Sequence, residues 1–211
     1  KTFNFGSPGL QDLNRIIALT KEEFHSKYNL DLKKRVILVT YHPLTTSKKS
    51  SKIVFRNILK SIENFEDNII FTGSNIDADG GLINEEIENF VKNKNDAHFI
   101  INMGRTDYIS ILKYCKVMIG NSSSGLCEAP SFNLPFVNIG DRQKGRLRGP
   151  NVIDVDETVE KISDGIEKGL SLEFSKNLKG FNPYFKDNTI KNIVNVLKKS
   201  DISNRLIKKK F

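Results

Sequence analysis

The sequence predicts an α/β protein built on a parallel sheet with helices on both faces. Short, mostly β-branched runs alternate with amphipathic helical stretches, and residues suited to ligand binding stand just after those runs. In open α/β sheets the ligand crevice lies beyond the carboxyl ends of the strands, so placement and chemistry agree. Strands are expected at residues 36–40, 69–72, 97–101, 117–119, 136–139 and 152–154. Between them, a helix over 52–64 brings Ile53, Ile58, Leu59 and Ile62 to one face, and a helix over 84–92 does so with Ile87, Phe90 and Val91. Residues 107–114 give a third helix. Residues 125–132 give a fourth, short or kinked because Pro130 lacks a backbone donor. Beyond 154 the strands stop. Residues 157–169, with Val159, Ile162 and Ile166, and 189–199, with Ile190, Ile193, Val194 and Leu197, are expected as helices packed on the sheet edge. The Gly- and Asp-containing stretch 73–81 reads as a loop after a strand.

A chain of 211 residues can bury one sizeable core, and a single domain is the simplest organisation. The opening residues show no initiator Met and no signal-peptide pattern, and no apolar run approaches the roughly 20 residues that span a bilayer. A soluble fragment with no membrane partner is therefore expected. The net charge of +8 raises the thought of a nucleic-acid-binding module, but the lysines are scattered and only Lys208-Lys209-Lys210 forms a run. A solvated lysine-rich surface fits better, and no nucleic-acid partner is expected. Cys115 and Cys127 have no CxxC spacing and read as small core residues of a protein in a reducing cytoplasm. His25, His42 and His98 are far apart and form no ligand pattern, so no metal is expected.

The chemistry concentrates in Gly120-Asn121-Ser122-Ser123-Ser124-Gly125-Leu126-Cys127-Glu128-Ala129, which follows the apolar run Val117-Met118-Ile119. A buried strand ends there in small residues that can open a helix, whose unpaired N–H groups and dipole attract an anion. Ser122 and Ser123 offer hydroxyl and N–H donors to diphosphate oxygens. Asn121 and Ser124 read as turn and cap residues. Glu128, about one turn in, accepts hydrogen bonds when ionised and suits vicinal ribose hydroxyls, with a helix-dipole role as the plainer reading. Arg142 follows the run at 136–139 and can place a planar fork on a phosphate. Arg146 reads equally as a surface or partner-domain contact, and Lys144 and Arg148 are weaker candidates. His42, followed by Pro43 just beyond residues 36–40, is either a structural histidine or a group held at the sheet's rim.

Residues 120–154, reading GNSSSGLCEAPSFNLPFVNIGDRQKGRLRGPNVID, closely resemble the signature of the hydrolysing UDP-N-acetylglucosamine 2-epimerases, especially the bacterial branch feeding sialic-acid synthesis. The likeness extends to Thr40-Tyr41-His42-Pro43-Leu44-Thr45-Thr46 and to Phe5-Gly6-Ser7-Pro8-Gly9, and so covers essentially the whole chain. It implies a Rossmann-like domain over 1–211, the C-terminal half of a two-domain glycosyltransferase-B-like architecture, with segment 187–211 crossing back to an N-terminal half absent from this sequence. It also implies a ligand, UDP or UDP-N-acetylglucosamine, and the residues that meet it. His42 becomes the catalytic candidate of this half, in contact with phosphate. Ser122, Ser123, Arg142 and Arg146 bind the diphosphate and Glu128 the ribose. Uracil lies by the strand end at Ile101-Asn102-Met103, where Met103 as core filler is the alternative.

The implied reaction eliminates UDP to a glycal and adds water with inversion at carbon 2, releasing N-acetylmannosamine and UDP without a redox cofactor. The proton-moving acids of the family lie mainly on the other domain, so this chain is expected to bind UDP without turnover. The family often dimerises through its N-terminal half, which makes a homodimer the expectation for the full-length protein. The rival enzyme reading is the donor-binding domain of a UDP-sugar glycosyltransferase, against which the Asp141-Arg142-Gln143-Lys144-Gly145-Arg146 segment argues.

Overall fold

A computed structural model describes residues 2–43, 50–74 and 80–200. Leu44, Thr45 and Thr46 of the histidine stretch, residues 75–79 of the expected loop and the segment 201–211 lie outside the described residues. The chain divides into two compact units, Ile16–Pro183 and the described parts of Lys1–Arg15 with Tyr184–Phe211.

The larger unit is a six-stranded sheet in the order β3-β2-β1-β4-β5-β6, parallel at every pairing. The strands are β1 (Val36–Thr40), β2 (Asn68–Thr72), β3 (Ala97–Ile100), β4 (Cys115–Gly120), β5 (Phe136–Ile139) and β6 (Val152–Val155). β1 and β5 are buried at every residue, as apolar strands covered on both faces must be. One face is closed by α2 (Ser51–Ile62), α3 (Gly80–Lys92) and α6 (Val159–Leu170), whose Phe55, Ile58, Ile83, Ile87, Ile162 and Ile166 pack with Ile37, Val39, Ile69 and Val117. The alternate strand residues Leu38, Ile70, Met118 and Phe136 point the other way and are equally buried. The remaining helices of this unit are α1 (Lys21–Tyr28), α4 (Gly104–Leu112), the single turn α5 (Ser124–Cys127) and α7 (Leu172–Lys176).

The expected strands and helices all form, with shifted ends. β3 stops before Ile101, which is exposed, and β4 begins two residues earlier than expected, at Cys115. α3 and α4 start at glycines, Gly80 and Gly104, several residues before the apolar periodicity that betrayed them. Residues 80 and 81 of the expected loop are thereby helical. The stretch 125–132 splits where Pro130 requires, into α5 and a 3₁₀ turn over Ala129–Phe132 that ends in left-handed Asn133. α1 was not expected. It buries only Phe24, so its periodicity is faint, yet its start carries a capping box in which Thr20 accepts from the Glu23 N–H while the Glu23 carboxylate accepts from the Thr20 N–H.

In the smaller unit, α8 (Thr189–Lys199) follows a segment tied to the chain's beginning. Ser7 N–H donates to the Tyr184 carbonyl at 2.8 Å, and the Thr189 hydroxyl donates to the Phe5 carbonyl. Gly6 lies between them at φ +82°, and a Cβ there would meet the Tyr184 carbonyl at 2.9 Å. α8 therefore belongs to this unit rather than to the sheet unit, where the sequence had placed it at the sheet edge.

Gly125 fixes how closely α5 seats on β5, because a Cβ there would lie 2.3 Å from the fully buried Phe136 ring. Gly125→Ala is expected to destabilise the chain by about 1–3 kcal/mol through overpacking, read as a lower urea midpoint, and Phe136→Leu in the same chain should recover part of the loss.

Candidate functional site

The strand order turns back between β1 and β4: from β1 the sheet grows through β2 to β3, and from β4 through β5 to β6. At such a switch point the loops beyond the carboxyl ends part and leave a crevice. Thr40 and Gly120 are the last pair of the β1–β4 ladder. Gly120 is obligatory, since its φ is +132° and a Cβ would fall 2.0 Å from the Thr40 carbonyl oxygen. The next residue, Asn121, is completely buried. Its N–H donates to the Thr40 carbonyl, its Oδ1 accepts from the His42 N–H at 2.8 Å, and its Nδ2 donates to the His42 carbonyl at 2.8 Å. Its carbonyl accepts from Arg142 Nη1 at 3.0 Å and from the buried Gln143 Nε2 at 2.6 Å.

One residue thus holds three loops together: the one after β1 carrying His42, the one after β4 carrying Ser122 and Ser123, and the one after β5 carrying Arg142. Ser122 is buried and its Oγ accepts from the Ser124 N–H; Ser123 is half-buried. Among the described residues the N–H groups of Ser122 and Ser123 meet no hydrogen-bond acceptor. Those two donors, rather than a macrodipole, can receive an anion here. α5 is four residues long, so the expected helix-start field shrinks to that of one turn.

Glu128 closes α5, its N–H donating to the Ser124 carbonyl at 2.9 Å. Burial pushes its carboxyl above the usual carboxylate range, opposed by hydrogen bonding from the Ser124 side chain and by the charge of Arg105. The basic loop after β5 sorts itself. Arg142 turns in to Asn121, and Arg148 Nε is paired with Asp154 at 2.7 Å. Arg146 and Lys144 are exposed, although the charge of Arg146 reaches the Cys127 thiol on α5. Met103 is buried immediately before α4, and no described hydrogen bond joins it to the cluster around Asn121. A concavity of about 540 Å³ over β6 and α6 is lined by the two weaker candidates, Lys144 and Arg148, but by none of His42, Met103, Ser122, Ser123, Glu128, Arg142 or Arg146, and its charges are largely matched among themselves, as in Arg148–Asp154 and Lys161–Asp164.

The family profile described as UDP-N-acetylglucosamine 2-epimerase matches residues 1–198. The chain belongs to the UDP-N-acetylglucosamine 2-epimerase family. It is 39% identical over 179 residues to the GDP/UDP-N,N'-diacetylbacillosamine 2-epimerase (hydrolyzing) of Campylobacter jejuni, covering 84% of this chain and 46% of that protein. To the polysialic acid biosynthesis protein P7 of Escherichia coli it is 38% identical, covering 93% and 50%. The chain therefore spans about half the length of these relatives. The fold is shared with the Neisseria meningitidis UDP-GlcNAc 2-epimerase bound to UDP-GlcNAc, at a TM-score of 0.72 and 17% identity over 90% of this chain and 52% of that one. The Staphylococcus aureus MnaA–UDP co-structure gives 0.71 and 17% identity, over 92% and 53%.

Within this epimerase-family chain, Asn121 and Gln143 are the site residues that reading the sequence missed. A polar residue in a serine-rich turn gives no local sign that it will be wholly buried and bonded through every polar group. Replacing Asn121 with Ala leaves the His42 N–H and carbonyl without their side-chain partner and should cost about 2–4 kcal/mol, measured by denaturant unfolding. Glu128→Gln is expected to raise the melting temperature at neutral pH. The folded pKa of Glu128 is raised, so its ionised form weakens the fold relative to its protonated form, and the advantage of the Gln variant should vanish as pH falls below the unfolded carboxylate's range.

Proposed function

We propose that this chain is the nucleotide-binding half of a hydrolysing UDP-N-acetylglucosamine 2-epimerase. One observation carries the reading: His42, Ser122–Ser123 and Arg142, far apart in sequence, are tied through Asn121 at the carboxyl edge of the sheet's switch point. In this reading residues 1–211 belong to the UDP-binding domain, α8 reaches toward the other half, and the full-length protein works in the cytoplasm as a homodimer. The N–H groups and hydroxyls of Ser122 and Ser123 take diphosphate oxygens, and the Arg142 fork adds a charged donor beside them. His42 meets the phosphate from the opposite rim. Arg146 swings in from the exposed loop, Glu128 accepts from the ribose hydroxyls, and uracil lies against the backbone near Met103.

Catalysis then divides between halves. As the proton leaves carbon 2, the carbon 1–oxygen bond breaks and its electron pair stays with UDP. The resulting glycal takes up water with inversion at carbon 2. Charge accumulates on the departing diphosphate in that step, and preorganised donors aimed at it lower the barrier. This half supplies those donors, while the groups that move the protons come from the other half. The names of the Campylobacter jejuni and Legionella pneumophila relatives, at 39% and 37% identity, speak of a diacetamido sugar, so recognition of UDP is the shared core of the proposal.

Calorimetric titration of UDP into this chain, with AMP as control, should show saturable binding selective for UDP and no turnover of UDP-N-acetylglucosamine. Glu128→Ala should weaken it by about 10-fold or more, as expected for losing a charged hydrogen-bond acceptor. Absence of UDP binding both here and in a chain extended to the relatives' length would overturn the reading.

A further inference from the structure

We infer that Gln143 is a positioning residue that, by gripping the Asn121 carbonyl, aims the Ser122 N–H at the diphosphate. The inference rests on the nucleotide-site reading above and gives the loop after β5 a task beyond supplying charge.

The Asn121 carbonyl and the Ser122 N–H belong to one peptide unit. That unit is planar and trans, so its two polar bonds point in opposite directions, and whatever holds the oxygen sets the direction of the proton. The residue before the unit is already fixed. Asn121 is completely buried, its N–H donates to the Thr40 carbonyl, and its side chain is bonded to both backbone groups of His42. One rotation is left, about the bond from the Asn121 Cα to its carbonyl carbon. The two donors on the oxygen, Gln143 Nε2 at 2.6 Å and Arg142 Nη1 at 3.0 Å, settle it. The Ser122 N–H then faces away from those donors and meets no acceptor among the described residues.

A single turn delivers both donors. Lys144 N–H closes it on the Asp141 carbonyl at 2.9 Å, with Arg142 and Gln143 as its two central residues. The two donors are not equivalent. Arg142 is half-buried and its charge also serves the phosphate, whereas Gln143 is 1% exposed and makes the shorter bond. An oxygen in the place of Nε2 would meet the carbonyl oxygen with no proton between them, so the amide has one orientation. Its Oε1 then lies buried without a hydrogen-bond partner among the described residues, a cost the fold carries to keep this donor in place. Donors on a carbonyl also polarise its peptide unit and strengthen the N–H at the other end. Charge gathering on the departing diphosphate thus meets an N–H that is both aimed and strengthened by side chains on the far side of the peptide.

The test is Gln143→Met, which keeps the side chain's length and removes both its donor and its unpartnered acceptor, so the melting temperature should stay close to that of the unaltered chain. By calorimetry UDP should bind about 3- to 10-fold more weakly, the scale of one hydrogen bond, while uridine, which has no phosphate, should keep its affinity in an NMR shift titration. An equal loss for uridine, or no loss for UDP, would overturn the inference. A second readout needs no nucleotide. Bonds to the Asn121 carbonyl deshield the Ser122 amide nitrogen, so its resonance should move upfield in Gln143→Met, and an unmoved resonance would also overturn it. A third needs no variant: the scalar coupling across the hydrogen bond from Gln143 Nε2 to the Asn121 carbonyl carbon should be present in the unaltered chain and persist when UDP binds, and its disappearance on binding would count against the inference as decisively. If UDP bound neither to this chain nor to one extended to the relatives' length while the Ser122 resonance moved, the hold of Gln143 on the Ser122 N–H would stand and the nucleotide reading would fall.

Discussion

The side-chain amide of Asn121 takes the place of the next backbone pair in the β1–β4 ladder, and the rim of the sheet is organised around that substitution. Parallel strands that diverge at a switch point leave backbone donors and acceptors facing an opening, and burying such groups without partners is costly. Here the amide satisfies both polar groups of His42, while the Asn121 carbonyl gathers Arg142 and Gln143. Gly120 makes this reachable, because only a residue without a Cβ lets β4 approach the Thr40 carbonyl so closely. The loops after β1, β4 and β5 are therefore held in common, although nothing in their spacing along the chain relates them.

A second constraint acts on Glu128. The single turn that carries it is pressed on β5 through Gly125, and that seating desolvates the carboxylate. The fold counters the cost with donors rather than with exposure, among them the Ser124 hydroxyl and the nearby charge of Arg105. Desolvation outweighs those groups, and the carboxyl's pKa stands above the usual carboxylate range. Asp107, one residue before Tyr108, shows the same solution serving structure alone. Burial opposes its ionisation, but Lys27 and Tyr28 donate to it and hold its pKa below the usual value, which locks α1 onto α4.

The basic loop after β5 shows why charge alone is a poor guide to a site. Arg142, Lys144, Arg146 and Arg148 look alike in a charge count. In the fold Arg142 turns in to the Asn121 carbonyl, Arg148 is paired with Asp154, and the other two face solvent. Sequence could rank them only by resemblance, because a side chain's direction in a loop depends on turns such as that at Gly145, with φ +80°, and on partners from β6.

The sequence by itself determined the strand–helix alternation, the strand positions to within a residue or two, the break at Pro130 and the family. These follow from local chemistry: β-branched runs buried on both faces, periodic apolar residues, a ring that cannot donate, and a contiguous motif of small residues. It missed α1, whose one buried ring left little periodicity, and it read helix starts late because Gly80 and Gly104 carry no apolar signal. Only the tertiary structure decided that Asn121 is the pivot of the site and that the α5 field is that of one turn. Those relations join residues from separate strands and helices, and such partners become neighbours only when the strand order places β1 beside β4.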